Sequence, residues 1–263
     1  MVNVNDISIT ELDQVSFYKN GDLRFVLDEL QTCKLANTEE KVNLTGKAGR
    51  TIGSLKKNKA VTVSGTNGLV SGGLMGSQVG NDFTKTDSAP VKYIDYLAIA
   101  NDNTATTTYT AAGDEGAEIE SVKVKEDGVV IATLTQSDAA ADGKFTYDPE
   151  TKKLTFAEGA YEEGTEIVVT YMRSVKGYTL DNMSDNYSEK GEMYIDGRGE
   201  DTCGNVFHIQ FYIPMADFTG NFDLDMGGDQ TVHAFEATSI VSTCKGAKGK
   251  LWTYTIFGVE DVA

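Results

Sequence analysis

The chain has 263 residues, 40% of them apolar, and its 23 Lys and Arg stand against 40 Asp and Glu for a net charge of −17. That composition excludes a disordered chain and can fill one large core or two modest ones. The acidic balance argues against general nucleic-acid binding, which rests on Lys and Arg neutralising phosphates, and no apolar run approaches membrane-spanning length.

The first residues, "MVNVNDISITELDQ", have neither a basic n-region nor an apolar h-region, so no secretory leader is expected. In "GDLRFVLDELQTCKL", Leu23, Val26, Leu27 and Leu30 have helical spacing, whereas Leu23, Phe25 and Leu27 alternate. The turn signal "KNG" just before them favours a strand. From Lys41 to Gly80 the positive residues Lys41, Lys47, Arg50, Lys56, Lys57 and Lys59 occur with no acid between them. An isolated basic segment in so acidic a chain suits contact between copies. "KAVTVSG" reads as a short strand, and "NGLVSGGLMGSQVG" is the best helix in the chain, although its glycines weaken it.

Past Asp82 the pattern changes. "TKTDSAP" reads as a linker and "VKYIDYLAIA" as a long strand. "ESVKVKEDGVVIATL" folds back at Asp127-Gly128, and "KFTYDPETKKLTF" folds back at "DPETKK". "TEIVVTYMR" adds a strand. In "NVFHIQFYI", Phe207, Ile209, Phe211 and Ile213 fall on one face and His208, Gln210 and Tyr212 on the other. "QTVHAFEATSIVSTC" and "KLWTYTIFG" flank "KGAKG", which reads as a basic hairpin tip. The class is mainly β.

Few motifs carry chemistry. Gly65, Gly68 and Gly72 after a strand do not have the spacing of a dinucleotide turn, and no βαβ pattern follows. Asp223, Asp225 and Asp229 fail the calcium-loop pattern, because Gly227 and Ala234 stand where ligands belong. His208 and His233 have no nucleophile motif beside them. Cys33, Cys203 and Cys244 are odd in number and far apart, which suits free thiols in a reducing compartment. No catalytic, cofactor or metal residues are assigned.

"EEKVNLTGKAGRTIGSLKKNKAVTVSGTNGLVSGGL" (39–74) resembles the N-terminal half of phage tail tube proteins, also called major tail proteins. "GNFDLDMGGDQTVHAFEATSIV" (220–241) is similar to their C-terminal strand pair, and the stretch with "KFTYDPETKKLTF" looks like their β elaborations. The resemblance implies a two-sheet β-sandwich or barrel flanked by an α-helix, formed by 1–87 and 177–263, with 88–176 as an inserted or elaborated β subdomain. It implies a virion protein, made in the host cytoplasm, whose hexameric rings stack into a tube for genome delivery. Its partners would be other copies of itself, a tape measure protein inside the tube, and terminator and baseplate proteins at the ends. DNA would pass without specific binding. On that reading Lys47, Arg50, Lys56, Lys57 and Lys59 sit on a loop that reaches a neighbouring subunit or ring. A capsid decoration or surface β-module, or a small-ligand enzyme, are the alternatives left open.

Overall fold

The computed structural model describes residues 6–224, 232–241 and 249–258. The strands are β1 (Ile7–Lys19), β2 (Asp22–Leu27), β3 (Leu30–Thr45), β4 (Thr51–Asn67), β5 (Thr84–Ala98), β6 (Thr104–Thr106), β7 (Ile119–Glu126) and β8 (Val129–Gln136). They continue with β9 (Lys144–Asp148), β10 (Lys153–Phe156), β11 (Glu166–Thr179), β12 (Lys190–Asp201), β13 (Val206–Phe218), β14 (His233–Ser239) and β15 (Thr253–Gly258). A 3-10 turn (Lys47–Gly49) and one α-helix, α1 (Gly72–Val79), complete the described residues. The protein is mainly β, with two sheets and a helix, as its sequence implies. The chain divides into two compact units: Met1–Phe83 with Leu180–Ala263, and Thr84–Thr179.

The first unit holds an antiparallel sheet in the order β2-β1-β12-β13-β14-β4-β3. Strand β13 also carries β15, which pairs with its first half (Phe207–Tyr212), while β14 pairs with its end (Ala216–Phe218). The strands flanking "KGAKG" therefore do not form a hairpin; they lie one after the other along one side of β13. Most of the expected tip lies outside the described residues. In "NVFHIQFYI" the alternation buries Ile209 and Ile213 and half-buries Phe207 and Phe211, and Ile213 joins Val15, Phe17, Phe25, Leu27, Met193 and Phe235 in the core. Phe17 stacks on Phe25 at 5.4 Å and meets Phe218 edge-on at 4.9 Å. Such pairs add about 0.5–1.5 kcal/mol each beyond area burial.

Helix α1 starts where the sequence carries a cap: the Ser71 hydroxyl accepts the Leu74 N–H at 3.3 Å. Its glycines serve packing. A Cβ at Gly73 would stand 2.8 Å from the Arg24 carbonyl oxygen, so only glycine lets the helix lie this close to β2. Two polar contacts fix the helix. The buried His233 ring accepts the Ser71 N–H at Nδ1 (3.2 Å) and bonds Gln78 Oε1 through Nε2 (2.8 Å), while Gln78 donates to the Ala234 carbonyl. Burial pushes the His233 imidazole below its ordinary value of 6.5, so the ring is a neutral strut. Glu189, also buried, accepts from Lys19 Nζ (2.7 Å), Ser77 Oγ (2.9 Å) and Arg24 (3.1 Å). Burial alone would raise this carboxyl; those donors outweigh it and hold it below the usual carboxylate range.

The second unit has its own sheet, in the order β5-β11-β7-β8-β9-β10-β6, with β8 and β9 parallel. Its core gathers Val122, Val124, Leu134, Phe145, Leu154, Ile167 and Val169. Asp127 (φ 46) and Gly128 (φ 81) make the left-handed turn expected between β7 and β8. The "TKTDSAP" stretch is not a linker: it is the first half of β5, paired with β11 from Thr84↔Thr179 onward. Pro90 is tolerated because β5 is an edge strand, whose outer backbone has no partner to lose. Inside, Asp95 accepts the Tyr171 hydroxyl (2.8 Å), the Thr108 N–H (2.8 Å) and the Thr108 hydroxyl (2.7 Å).

Candidate assembly interface

The basic block is not a loop. Lys47 is in the 3-10 turn, Arg50 follows it, and Lys56, Lys57 and Lys59 are on β4, which runs unbroken from Thr51 to Asn67. Strands β3 and β4 pair over their whole lengths, from Leu30↔Asn67 to Thr45↔Thr51. The reason is backbone pairing rather than core burial: from Thr51 to Ala60 every residue is exposed except Gly53, which is half-buried. Among the described residues, the outer half of the hairpin is thus a two-stranded ribbon with no third layer. A two-stranded hairpin alone in water is marginally stable at best.

Space also changes the charge reading. Glu39 and Glu40, just before the acid-free segment, lie across the ribbon from its lysines. Lys56 meets Glu39 at 2.7 Å and Lys57 meets Glu40 at 3.5 Å. The hydrogen bond from Lys56 lowers the Glu39 carboxyl, and Lys59 adds a smaller Coulomb effect. Asn58, in the left-handed region at φ 51 where the register slips, donates to Glu40 at 2.6 Å. Lys47 and Arg50, at the tip, form no ion pair with the described residues. Beside these charges the ribbon exposes Leu44 (51%), Ile52 (69%) and Leu55 (56%). Sequence reading missed the aliphatic residues, because Gly, Ser and Lys between them break the alternation that marks a buried strand face. Each is a large side chain in a segment that buries none.

A second surface is the polar face of β1, β12, β13 and β15. Here Tyr194 stacks on Tyr212 at 4.7 Å, and Tyr18 meets Tyr194 edge-on at 5.6 Å. Glu192 accepts the Tyr212 hydroxyl at 3.1 Å. Burial, aided by Glu192, pushes the Tyr212 hydroxyl up to about 12. Asp196 accepts from Gln210 at 2.7 Å and from Gln14 at 3.1 Å. Arg198 stands between Glu11 (3.5 Å) and Asp13 (3.1 Å). His208, expected on this face, stacks on Phe257 at 5.4 Å. The acids Glu11, Asp13, Glu192, Asp196, Glu200 and Asp217 outnumber Arg198 and Lys190 here, so this sheet face is acidic.

The strip formed by these four strands ends in open edges. Strand β15 pairs only with β13, and β2 covers β1 only from Val15 to Lys19, leaving Ile7–Gln14 unpaired on that side among the described residues. Every neighbour in the strip is antiparallel, so β1 and β15 run in opposite directions. A β15 edge and the β1 edge of another copy therefore have the polarity for antiparallel pairing. Asp225 and Asp229, of the acidic "FDLDMGGDQ" stretch, lie outside the described residues.

The description "YomU/Tube protein family" belongs to the family model that matches residues 7–254, nearly the whole chain. No curated protein matches the chain.

Proposed function

The chain belongs to the YomU/Tube protein family, and from that premise we propose that it is a phage tail tube subunit whose hexameric rings stack into the conduit for genome delivery. The family's description is that of a tube-like structural protein. The observation that carries the finer reading is the outer β3–β4 ribbon, a strand pair that stays paired although no residue from Thr51 to Ala60 is buried. Such a ribbon gains its third layer from another copy. Lys47, Arg50, Lys56, Lys57 and Lys59 are its contact residues, with Lys47 and Arg50 free to meet acids of that copy.

The open edges support ring closure. Pairing β15 of one copy with β1 of the next is a heterologous contact, which closes by rotation and removes exposed edges at the same time. The acidic face of β1, β12, β13 and β15 then lines the lumen. A wall that carries few cations has little grip on phosphate, and its acids keep the duplex centred. A tape measure protein occupies that lumen during assembly, and terminator and baseplate proteins bind the open ends. The assembly takes place in the host cytoplasm and ends in the virion tail. No helix among the described residues is long and apolar enough to cross a membrane.

Negative-stain microscopy of concentrated protein tests this reading. Sixfold rings or tubes are expected; monomers or trimers that persist across concentrations and assembly conditions would refute it. The variant Lys56→Glu, Lys57→Glu, Lys59→Glu should weaken assembly and make it more dependent on salt, because it sets like charge against Glu39, Glu40 and the neighbour's acids. Duplex binding should be negligible before and after the change.

A further inference from the structure

Beneath β3 the first unit has an open groove of about 880 Å³. Its walls include Leu12, Cys33, Leu35, Ile195, Ile209 and Phe211. Leu12, Cys33, Leu35 and Phe211 are only partly covered, beside the buried Ile195 and Ile209. The apolar floor extends outward. Phe211 stacks on Tyr254 at 4.5 Å and touches Trp252 at 6.0 Å, and both of those rings are more than a third exposed. Glu11 and Asp196 also line the groove. The groove thus has an apolar floor, exposed aromatic rings and a rim with more acid than base.

Resting on the self-assembly reading above, we propose that this groove receives the tip of the β3–β4 ribbon from a second copy of the chain. The occupant has the matching chemistry. The tip presents Leu44, Ile52 and Leu55, all more than half exposed, for the apolar floor. It presents Lys47 and Arg50, unpaired among the described residues, for the acids Glu11 and Asp196 that line the groove. The groove is also out of reach of its own ribbon tip. Leu44 lies eleven residues beyond Cys33 on one continuous strand, roughly 36 Å at about 3.3 Å per residue. A tip that leaves its own groove and enters another gives a head-to-tail contact, which propagates from copy to copy. Aromatic rings with one face free, such as Trp252 and Tyr254, are the residue type that anchors such contacts.

Cys33 provides the test, because its thiol lies in the groove. In a Cys203→Ser, Cys244→Ser background, Ile52→Cys places a second thiol on the exposed tip, where the change leaves the fold intact. Copper–phenanthroline with dissolved oxygen takes up the two electrons and two protons that the thiols lose on forming a disulfide. Burial lifts the Cys33 thiol to about 11, so the introduced exposed thiol supplies the thiolate. The expected result is a ladder of covalent multimers, with a peptide containing Cys33 joined to one containing position 52. Leu44→Asp should raise the concentration needed for assembly roughly tenfold or more, the scale of one lost buried aliphatic side chain. Rings or tubes that form without the link, or a link to some other peptide, would overturn the groove assignment and leave the tube reading standing. Monomers with no link under any condition would overturn both.

Discussion

The two halves of the β3–β4 hairpin are built from the same two strands and meet different fates. In the inner half, Val61, Val63, Gly65 and Asn67 are buried, and Phe235 of β14 packs against Gly65. In the outer half, from Thr51 to Ala60, no residue is buried, although the pairing to β3 continues to Thr45↔Thr51. One half is held by a hydrophobic core, the other by backbone hydrogen bonds and two cross-strand ion pairs. Exposed ion pairs of that kind contribute little. The comparison teaches that strand pairing alone does not tell where a protein's own core ends, and that a long ordered segment without burial points to a surface completed by something else.

The widest separation between the halves comes from one substitution in each. Val63→Asp puts a charge into a side-chain site that is 1% exposed, and should destabilise the folded chain by about 4 kcal/mol or more. Leu55→Asp should change monomer stability by no more than about 0.5 kcal/mol while preventing assembly. Urea unfolding and sedimentation of both variants check this; equal destabilisation by the two would erase the distinction.

Next in size is Glu189→Ala, which removes the acceptor for Lys19, Ser77 and Arg24 beneath α1. Arg24 keeps Asp82 as a partner, but the buried Ser77 hydroxyl loses its acceptor, and stability should fall by about 2 kcal/mol. The ribbon, which has no buried charge, has no site of comparable sensitivity.

A smaller effect is expected from pH. His233 is neutral in the fold and its imidazole is depressed below 6.5. The unfolded chain therefore takes up a proton first as pH falls, so stability is full above about 6.5 and declines below it. His233→Asn should flatten that decline between pH 7 and 5. A decline that keeps its slope in the variant would assign it to other groups. Glu189, depressed below 4.5, adds its own loss only at more acid pH.

The smallest expected effect concerns the unit Thr84–Thr179. Thr84 and Thr179 are partners across β5 and β11, so a short Gly-Ser linker can join Phe83 to Leu180. The unit has its own core, and its excision should leave the remaining unit folded with assembly unchanged. Loss of soluble protein on excision would show that the remaining unit depends on it.

How much of this was legible in the sequence varies with the physical cause. Strand β13 could be read because Phe207, Ile209, Phe211 and Ile213 alternate, and the β7–β8 turn because Asp127-Gly128 is a left-handed pair. The helix announced itself through its small packing residues, while its Ser71 cap was found only in the structure. The outer ribbon was misread as a loop, since Lys56, Lys57 and Lys59 place charge on a strand with no core side to reveal its period. "TKTDSAP" misled for a related reason: Pro90 is a breaker only where a neighbour needs its N–H, and an edge strand has none on that side. The acid-free block lost part of its meaning in three dimensions, because Glu39 and Glu40 return to it across the hairpin. The apolar tip and the groove were invisible, since neither follows a periodic pattern and the groove gathers residues from four separated strands.

Hydrogen exchange followed by mass spectrometry, on the monomer and on the assembled protein, measures the central claim directly. In the monomer, the inner segment Val61–Asn67 should be protected while amides from Val42 to Leu55 exchange rapidly, since solvent reaches both faces of the ribbon. On assembly, protection of Val42–Leu55 should rise to approach that of the inner segment. Assembled rings or tubes in which Val42–Leu55 still exchanges as fast as in the monomer would contradict the account.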